Sequence, residues 1–407
     1  MRLYTQITLV LLFLTAISGV WMRWFSLSPS SAIPYDNVLH AHSHVALIGW
    51  LFTAVFLIFF FIYRDKLKDK LQPKLIFISL ISVSLLMFVA FLYQGYALFS
   101  IITSTVHIFV EYWAVIYIWL FIRKENIPKV AKLFIVGGIL ANIISSIGPY
   151  TLAFLSANKL TDLSLFDMSI YFYLHFQYNG WLMLSLFGLF LVLLNKRSIK
   201  MNEKLATQAF WIYFVALFPG FLISALWVGL GPVVETIAAL ASIAQWISII
   251  MLIVALIPAI QRVSKLVTRL TSNLLIFSIV LLVMKGTMEL GLIYPPLADL
   301  VNNTRDVIIG YLHLTLLGFL TIFVFVLFHM LGLFKESKFS IYGFTGFVTG
   351  FLLNELLLFL RSLGLWTDWY SIPLYADGLF VASILLLIGV TMILFSVKRH
   401  KETRKLL

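Results

Sequence analysis

The sequence predicts an all-α polytopic membrane protein with twelve transmembrane helices in three pseudo-symmetric groups of four and both termini in the cytoplasm. Three observations predict this fold class. Long apolar runs recur along the 407-residue chain, which is 62% hydrophobic and only 11% charged. Basic residues concentrate in every second loop. One short histidine pattern occurs three times, at intervals of about a third of the chain.

The apolar runs set the number of spans. A run of about 20 apolar residues is long enough to cross the hydrocarbon core, where only a helix or a closed barrel pairs all its backbone groups. Twelve such runs fill the chain, so we expect residues 1–407 to form a single transmembrane domain. The first run lacks a small-residue cleavage site, and we expect it to be retained as a span. The predicted spans are 5–25, 40–63, 75–98, 101–122, 131–156, 169–194, 207–230, 234–258, 271–293, 307–333, 340–362 and 376–397.

The distribution of charge predicts the orientation of these spans. Positive loops stay in the cytoplasm, which places both termini inside. The net charge of +12 is therefore a topology signal with some attraction to anionic lipid. The expected partner is the lipid bilayer of a bacterial-type plasma membrane, and no nucleic acid is expected. The basic segments are 64–74, 123–132, 196–204 and 262–269, with Lys335, Lys338 and 398–405.

Each predicted group of four spans carries the same motif at the start of its second span. The groups correspond to pseudo-repeats of about 1–128, 129–265 and 266–407. A pattern that returns at a fixed period is typical of internal repeats. The three copies read His44-Val-Ala-Leu-Ile-Gly49-Trp50, His175-Phe-Gln-Tyr-Asn-Gly180-Trp181 and His313-Leu-Thr-Leu-Leu-Gly318-Phe319.

Five histidines are predicted to lie in one shallow layer near the outer face. They fall within the first turns of spans two, four, six and ten, all of which run from outside to inside. Polar residues in a span are costly and usually face the bundle interior or a functional path. Five imidazoles at one depth favour ligands over isolated hydrogen-bonding residues. The layer consists of His42, His44, His107, His175 and His313, whereas His40, His329 and His400 are assigned structural roles.

Pairs of polar residues within spans give three further predictions. His107 and Glu111 are four residues apart, so they lie on one helical face and would either bind one metal ion or hydrogen-bond each other. Lys285 and Glu289 have the same spacing and are expected to form an ion pair. Asn354-Glu355 in span eleven is a candidate for a proton path.

The number of spans and the placement of the histidines resemble subunit I of the haem-copper oxidase superfamily, which includes cytochrome oxidases and nitric oxide reductases. Segments 42–50 and 310–319 are similar to the span-two and span-ten segments of the cbb class of cytochrome oxidase. The resemblance implies that His42 and His313 are the axial ligands of one haem. Since the chain has no cysteine, that haem would be non-covalent. We expect it to be a b-type haem. Ser43, Thr315 or backbone carbonyls would orient the ligand rings.

The sequence also departs from the family. The aligned span seven has no histidine between Phe210 and Ser224, and Tyr311 stands where the family has its high-spin haem ligand. Oxygen reduction by the usual mechanism is therefore not expected, although the chain remains a candidate oxidoreductase. The His107-x-x-x-Glu111 pair resembles the non-haem iron ligands of nitric oxide reductases, which lie on span six in that family.

A second site is predicted for copper, non-haem iron or a second haem. Its candidate ligands are His44, His107, Glu111 and His175. Accessory candidates are Tyr173 and Tyr311, together with Arg305, Arg361 and Lys285 as partners of haem propionates.

The expected function is electron transfer, or a redox or response function related to nitric oxide or oxygen. The electron donor would be a quinol or a c-type cytochrome. His40-Ala41-His42 resembles a motif of membrane proteins of the nitric oxide stress response. Two alternatives stay open: a copper or zinc transporter with a histidine-lined outer vestibule, and a structural or assembly protein without cofactors.

Overall fold

A computed structural model describes residues 1–29, 33–67, 69–160, 162–367 and 374–398. Twelve helices in these ranges are long and apolar enough to cross a membrane, which confirms the prediction of a polytopic membrane protein. Every predicted span overlaps one of them. Spans one to twelve are Arg2–Leu27, Tyr35–Tyr63, Leu71–Gln94, Leu98–Ile122, Lys129–Ala157, Leu163–Lys196, Glu203–Val228, Pro232–Leu266, Arg269–Gly291, Arg305–Met330, Lys338–Thr367 and Tyr375–Phe395.

Polar caps and glycine define several helix ends. Asp162 accepts hydrogen bonds from the first backbone N–H groups of span six, and Asn202 and Thr268 do the same for spans seven and nine. Such caps satisfy N–H groups that have no partner within the helix. Span three ends at Gly95, whose φ of +63° is a conformation that glycine adopts readily. The spans therefore stop where local chemistry favours a break.

The loop between spans nine and ten contains a short helix, Pro295–Asn303, that the sequence analysis did not predict. It begins with two prolines, whose fixed φ suits the first turn of a helix. A search for long apolar runs does not detect a helix of this length.

The chain divides into two compact units. The first comprises Met1–Ile118 and Val324–Leu407. Within it, span two packs against spans one and three, and span twelve packs against spans one and eleven. The second comprises Trp119–Phe323. Within it, span five packs against span six, span seven against span eight, and span nine against spans eight and ten.

Spans two, six and ten share two properties that set them apart from the other described spans. Each contains a π-helix, at Val45–Leu51, Phe176–Leu182 and His313–Leu320. Buried residues make up 94%, 100% and 72% of their most apolar stretch, compared with at most 61% in any other span. Helices that are apolar and buried on all sides belong to a protein interior. The three spans that carry the histidine motif are therefore the most buried of the described spans.

Candidate functional site

Each motif histidine stands at the start of a π-helix. His44 and His175 immediately precede their π-helices, and His313 is the first residue of its own. The motif glycine lies five residues later, inside the π-helix. π-helices are rare and frequently lie at functional sites, so the three motifs share an uncommon backbone geometry. The three pseudo-repeats stay a prediction.

The motif glycines Gly180 and Gly49 differ in how closely they let a neighbouring helix approach. A Cβ atom at Gly180 would lie 2.4 Å from Cβ of Ala141 in span five, which is too close for any larger residue without a shift. Small residues at helix contacts let membrane helices pack backbone to backbone in this way. At Gly49 the Cβ atom would lie 3.5 Å from Cβ of Ser84 in span three, an ordinary van der Waals distance, and its tighter neighbour at 3.0 Å is Val45 of its own span.

His42 has one ring nitrogen held by span one. Its Nδ1 lies 2.9 Å from the carbonyl oxygen of Thr15 and 3.1 Å from Oγ of Ser18. A carbonyl oxygen only accepts, so Nδ1 carries the proton in the neutral ring and Nε2 is left with a lone pair. In the described part of the chain Nε2 makes no hydrogen bond. The ring also packs on Gly19, where a Cβ atom would lie 3.4 Å from Cε1.

Ser43, Thr315 and backbone carbonyls were the candidates to orient the rings of His42 and His313, and in the described part of the chain only a backbone carbonyl is seen to do so. Backbone carbonyls were one of the predicted options, and the carbonyl of Thr15 does bind Nδ1 of His42. Ser43, another of the options, donates to the carbonyl of His40. The buried hydroxyl of Thr315 makes no hydrogen bond to a described residue, so it does not orient His313 either. His313 belongs to the second unit and is partly exposed.

His44 lies in an aromatic cluster at the beginning of span two. Its Nδ1 donates to the carbonyl of His40 at 2.9 Å, within the same helix. Its Nε2 lies 3.4 Å from the hydroxyl of Tyr96, and its ring centre is 4.3 Å from that of Phe91. The ring is thus held mainly by its own helix and by aromatic packing.

His107 and Glu111 form the hydrogen-bonded pair that was one of the two interpretations left open. Nδ1 of His107 lies 2.8 Å from Oε1 of Glu111, and both side chains are buried. Ser84 gives its only hydroxyl proton to the carbonyl of Leu80 at 2.7 Å. It therefore accepts from Nε2 of His107 at 3.1 Å. Both ring nitrogens of His107 are therefore engaged within the protein.

A buried polar network occupies the interior of the second unit. Oε1 of Glu289 accepts hydrogen bonds from Nζ of Lys285 at 2.8 Å, the hydroxyl of Tyr311 at 2.6 Å and Nδ2 of Asn179 at 3.3 Å. The ammonium group of Lys285, whose side chain is 1% exposed, also lies 5.8 Å from the ring centres of Tyr178 and Tyr311. The predicted ion pair is confirmed, and it joins spans six, nine and ten.

His175 is fully engaged at the edge of this network. Its Nε2 donates to the carbonyl of Leu217 at 2.9 Å, and its Nδ1 lies 3.2 Å from Nδ2 of Asn179. Tyr213 donates to the backbone carbonyl of Asn179 at 3.1 Å. Neither ring nitrogen is available to a metal ion unless one of these hydrogen bonds breaks.

The other predicted residues have separate surroundings. Tyr173 packs against Gly148, where a Cβ atom would lie 2.8 Å from Cβ of the tyrosine. Arg305 is exposed at the start of span ten, and the guanidinium of Arg361 lies 5.4 Å from the ring centre of Tyr375. His329 donates to the carbonyl of Phe325 at 2.9 Å, in keeping with its structural assignment. Nδ2 of Asn354 donates to Glu355 at 3.0 Å, and His400 lies outside the described residues.

Among the described residues, no three histidine, aspartate or glutamate side chains come close enough to hold one metal ion. His107 and Glu111 are the candidate second-site residues that the structure brings into direct contact. The metal-binding interpretation of His107 and Glu111 stays a prediction.

Sequence reasoning missed several partners of the candidate residues. Thr15 and Ser18 hold His42, and Ser84 holds His107, across helix contacts that no sequence spacing reveals. Asn179 could have been found, because it is a polar residue within a span, four positions after His175.

The chain was also compared with known families and curated proteins. It matches no family and no curated protein.

Proposed function

We propose that this chain is a haem-binding integral membrane protein whose function is electron transfer, or a redox or response function related to nitric oxide or oxygen. It would lie in a bacterial-type plasma membrane with both termini in the cytoplasm. His42 and His313 would be the axial ligands of one non-covalent b-type haem. A quinol or a c-type cytochrome would be the electron donor.

The observation that carries the proposal is the environment of His42. Metal-binding histidines almost always donate their second ring N–H to a carbonyl, carboxylate or water, which fixes the tautomer and the ring orientation. The carbonyl of Thr15 does this for His42 from a neighbouring span, and Nε2 is left with its lone pair. His44 and His329 are held by carbonyls four residues earlier in their own helices. His42 is thus oriented by tertiary structure.

The residues of the chain favour electron transfer over oxygen reduction. A bound haem would supply one-electron chemistry, and two axial imidazoles favour electron transfer over gas binding. Thr15 and Ser18 keep the ring of His42 in one orientation and make Nε2 more basic. Tyr311, at the family position of the high-spin haem ligand, instead donates its hydroxyl proton to Glu289. Oxygen reduction by the usual mechanism is therefore not part of the proposal.

The absorption spectrum of the purified protein tests the proposal. We expect a Soret band that shifts on dithionite reduction and is lost in His42→Ala and in His313→Ala. His329→Ala is the matched control in span ten and should keep the band. Ser18→Ala removes a partner of Nδ1 and should weaken haem binding about 10- to 100-fold.

Two results would contradict the proposal. One is a Soret band that survives both His42→Ala and His313→Ala. The other is a colourless protein after expression with adequate haem supply. Colourless protein with stoichiometric copper or zinc would favour the transporter alternative, and colourless, metal-free protein would favour a structural or assembly role.

A further inference from the structure

The first unit has a cavity at the opposite end of span two from His42. It lies where span one begins, span two ends and span three begins, and its volume is about 460 Å³. Aromatic side chains of Tyr4, Phe60 and Phe61 form its apolar part. Arg64, Lys70 and Lys74 also line it, so the cavity combines an apolar floor with a basic rim.

The basic rim has little internal neutralisation. Nε of Arg64 lies 3.4 Å from Asp65, its neighbour in sequence, whose side chain is 79% exposed. An exposed ion pair at this distance is weak. Lys70 and Lys74 are exposed and form no ion pair with a described residue. Among the lining residues, three basic side chains and the terminal ammonium of Met1 therefore face one carboxylate, that of Asp65.

The apolar part is fixed by packing rather than by the basic residues. The ring of Tyr4 is in edge contact with Phe60 at 5.9 Å and with Phe77 at 4.9 Å between centres. Phe60 and Phe61 are 3% exposed, so they are anchored in the protein and present only part of their surface. The cavity is formed by side chains that are already ordered without a ligand.

We propose that this cavity binds the phosphate headgroup of an anionic phospholipid. Basic pockets between membrane helices on the cytoplasmic side attract such headgroups, and the positive loops place this end of the unit on that side. The volume lies within the usual range for small-molecule sites. A free phosphate ion would use only the basic rim, whereas a phospholipid also covers the aromatic floor. The proposal does not depend on haem binding.

Native mass spectrometry of the full chain in detergent tests this site. The protein is titrated with phosphatidylglycerol, with phosphatidylcholine of the same acyl chains, and with inorganic phosphate. Each basic residue near an anionic lipid contributes about a fivefold gain in binding, so Lys70→Ala/Lys74→Ala should lower phosphatidylglycerol affinity roughly 30-fold. Lys200→Ala/Lys204→Ala removes two exposed lysines, one just before span seven and one in its first turn, and is the matched control. Arg64→Ala, the second variant, should weaken binding about fivefold.

One bound phosphatidylglycerol that is lost in the Lys70/Lys74 variant and retained in the control supports the proposal. Equal binding of phosphatidylglycerol by the variant and the unaltered protein overturns it. Equal affinity for phosphatidylcholine overturns it as well, because the basic rim would then contribute nothing. Inorganic phosphate that binds as tightly as the lipid also overturns it, because the aromatic floor would not matter.

Discussion

Replacing Lys285 by methionine removes the positive charge from an ion pair inside span nine. The ammonium and the carboxylate of Glu289 are 2.8 Å apart, with side chains 1% and 13% exposed. At an effective dielectric constant of about 20, two charges at that distance attract by about 6 kcal/mol before the cost of desolvation. Breaking a buried pair by removing one partner costs about 3–5 kcal/mol, because the other charge is left behind.

The two single variants are expected to differ. Lys285→Met leaves Glu289 with hydrogen bonds from Tyr311 and Asn179 and with some exposure, so we expect a loss of about 3 kcal/mol. Glu289→Gln leaves the buried ammonium beside a neutral amide oxygen and the faces of Tyr178 and Tyr311, with no counter-charge, so we expect about 5 kcal/mol. The double variant has no stranded charge, and its stability should be within about 1 kcal/mol of the unaltered protein.

Equilibrium unfolding in mixed micelles with increasing dodecyl sulfate, followed by circular dichroism, measures these losses. Lys204→Met, an exposed lysine at the start of span seven, is the control and should change stability by less than about 0.5 kcal/mol. The reasoning is refuted if both single variants unfold within about 1 kcal/mol of the unaltered protein. A double variant as unstable as the sum of the two single losses would refute it equally.

Three further predictions concern single contacts in the second unit. Gly180→Ala should cost about 1–3 kcal/mol in the same unfolding assay, because its Cβ would lie 2.4 Å from that of Ala141. Gly346→Ala, whose nearest neighbour would be 3.8 Å away, should be tolerated, and equal losses would contradict the reasoning. Tyr311→Phe removes a 2.6 Å hydrogen bond to Glu289 and should cost about 1.5–3 kcal/mol, so a loss below about 0.5 kcal/mol would argue against a charged acceptor. His175→Ala should leave the metal and haem content unchanged, because both ring nitrogens of His175 already form hydrogen bonds within the protein. Plasma mass spectrometry measures the metal and the pyridine haemochrome measures the haem, and loss of iron would show that His175 is a ligand.

The spans could be predicted from the sequence because their cause is local. A helix that crosses the bilayer needs about 20 apolar residues, and it forms all its backbone hydrogen bonds within itself. Those residues are consecutive in the sequence, so the span can be recognised without any tertiary contact. The predicted span 75–98, for instance, overlaps Leu71–Gln94 and differs where Gly95 ends the helix. The helix Pro295–Asn303 was missed because a short helix in a loop leaves no long apolar run.

The contacts of the candidate site could be predicted only where both partners lie on one helix. Lys285 with Glu289 and His107 with Glu111 follow from a spacing of four residues. The contact of His42 with Thr15 joins two helices, and its position depends on how span one is rotated about its axis. The π-helices could not be predicted from the sequence either. The motif marks where they occur, but the change from α-helical to π-helical hydrogen bonding depends on packing.

The three copies of the motif carry different chemistry at equivalent positions. Two residues before each motif histidine the chain has His42, Tyr173 and Tyr311. Nδ1 of His42 is bound to the carbonyl of Thr15, which leaves Nε2 with a lone pair, whereas the hydroxyl of Tyr311 is bound to Glu289. The two side chains therefore differ in what they offer at one place in the motif: an imidazole lone pair in the first copy, and a hydrogen bond to the Lys285–Glu289 ion pair in the third.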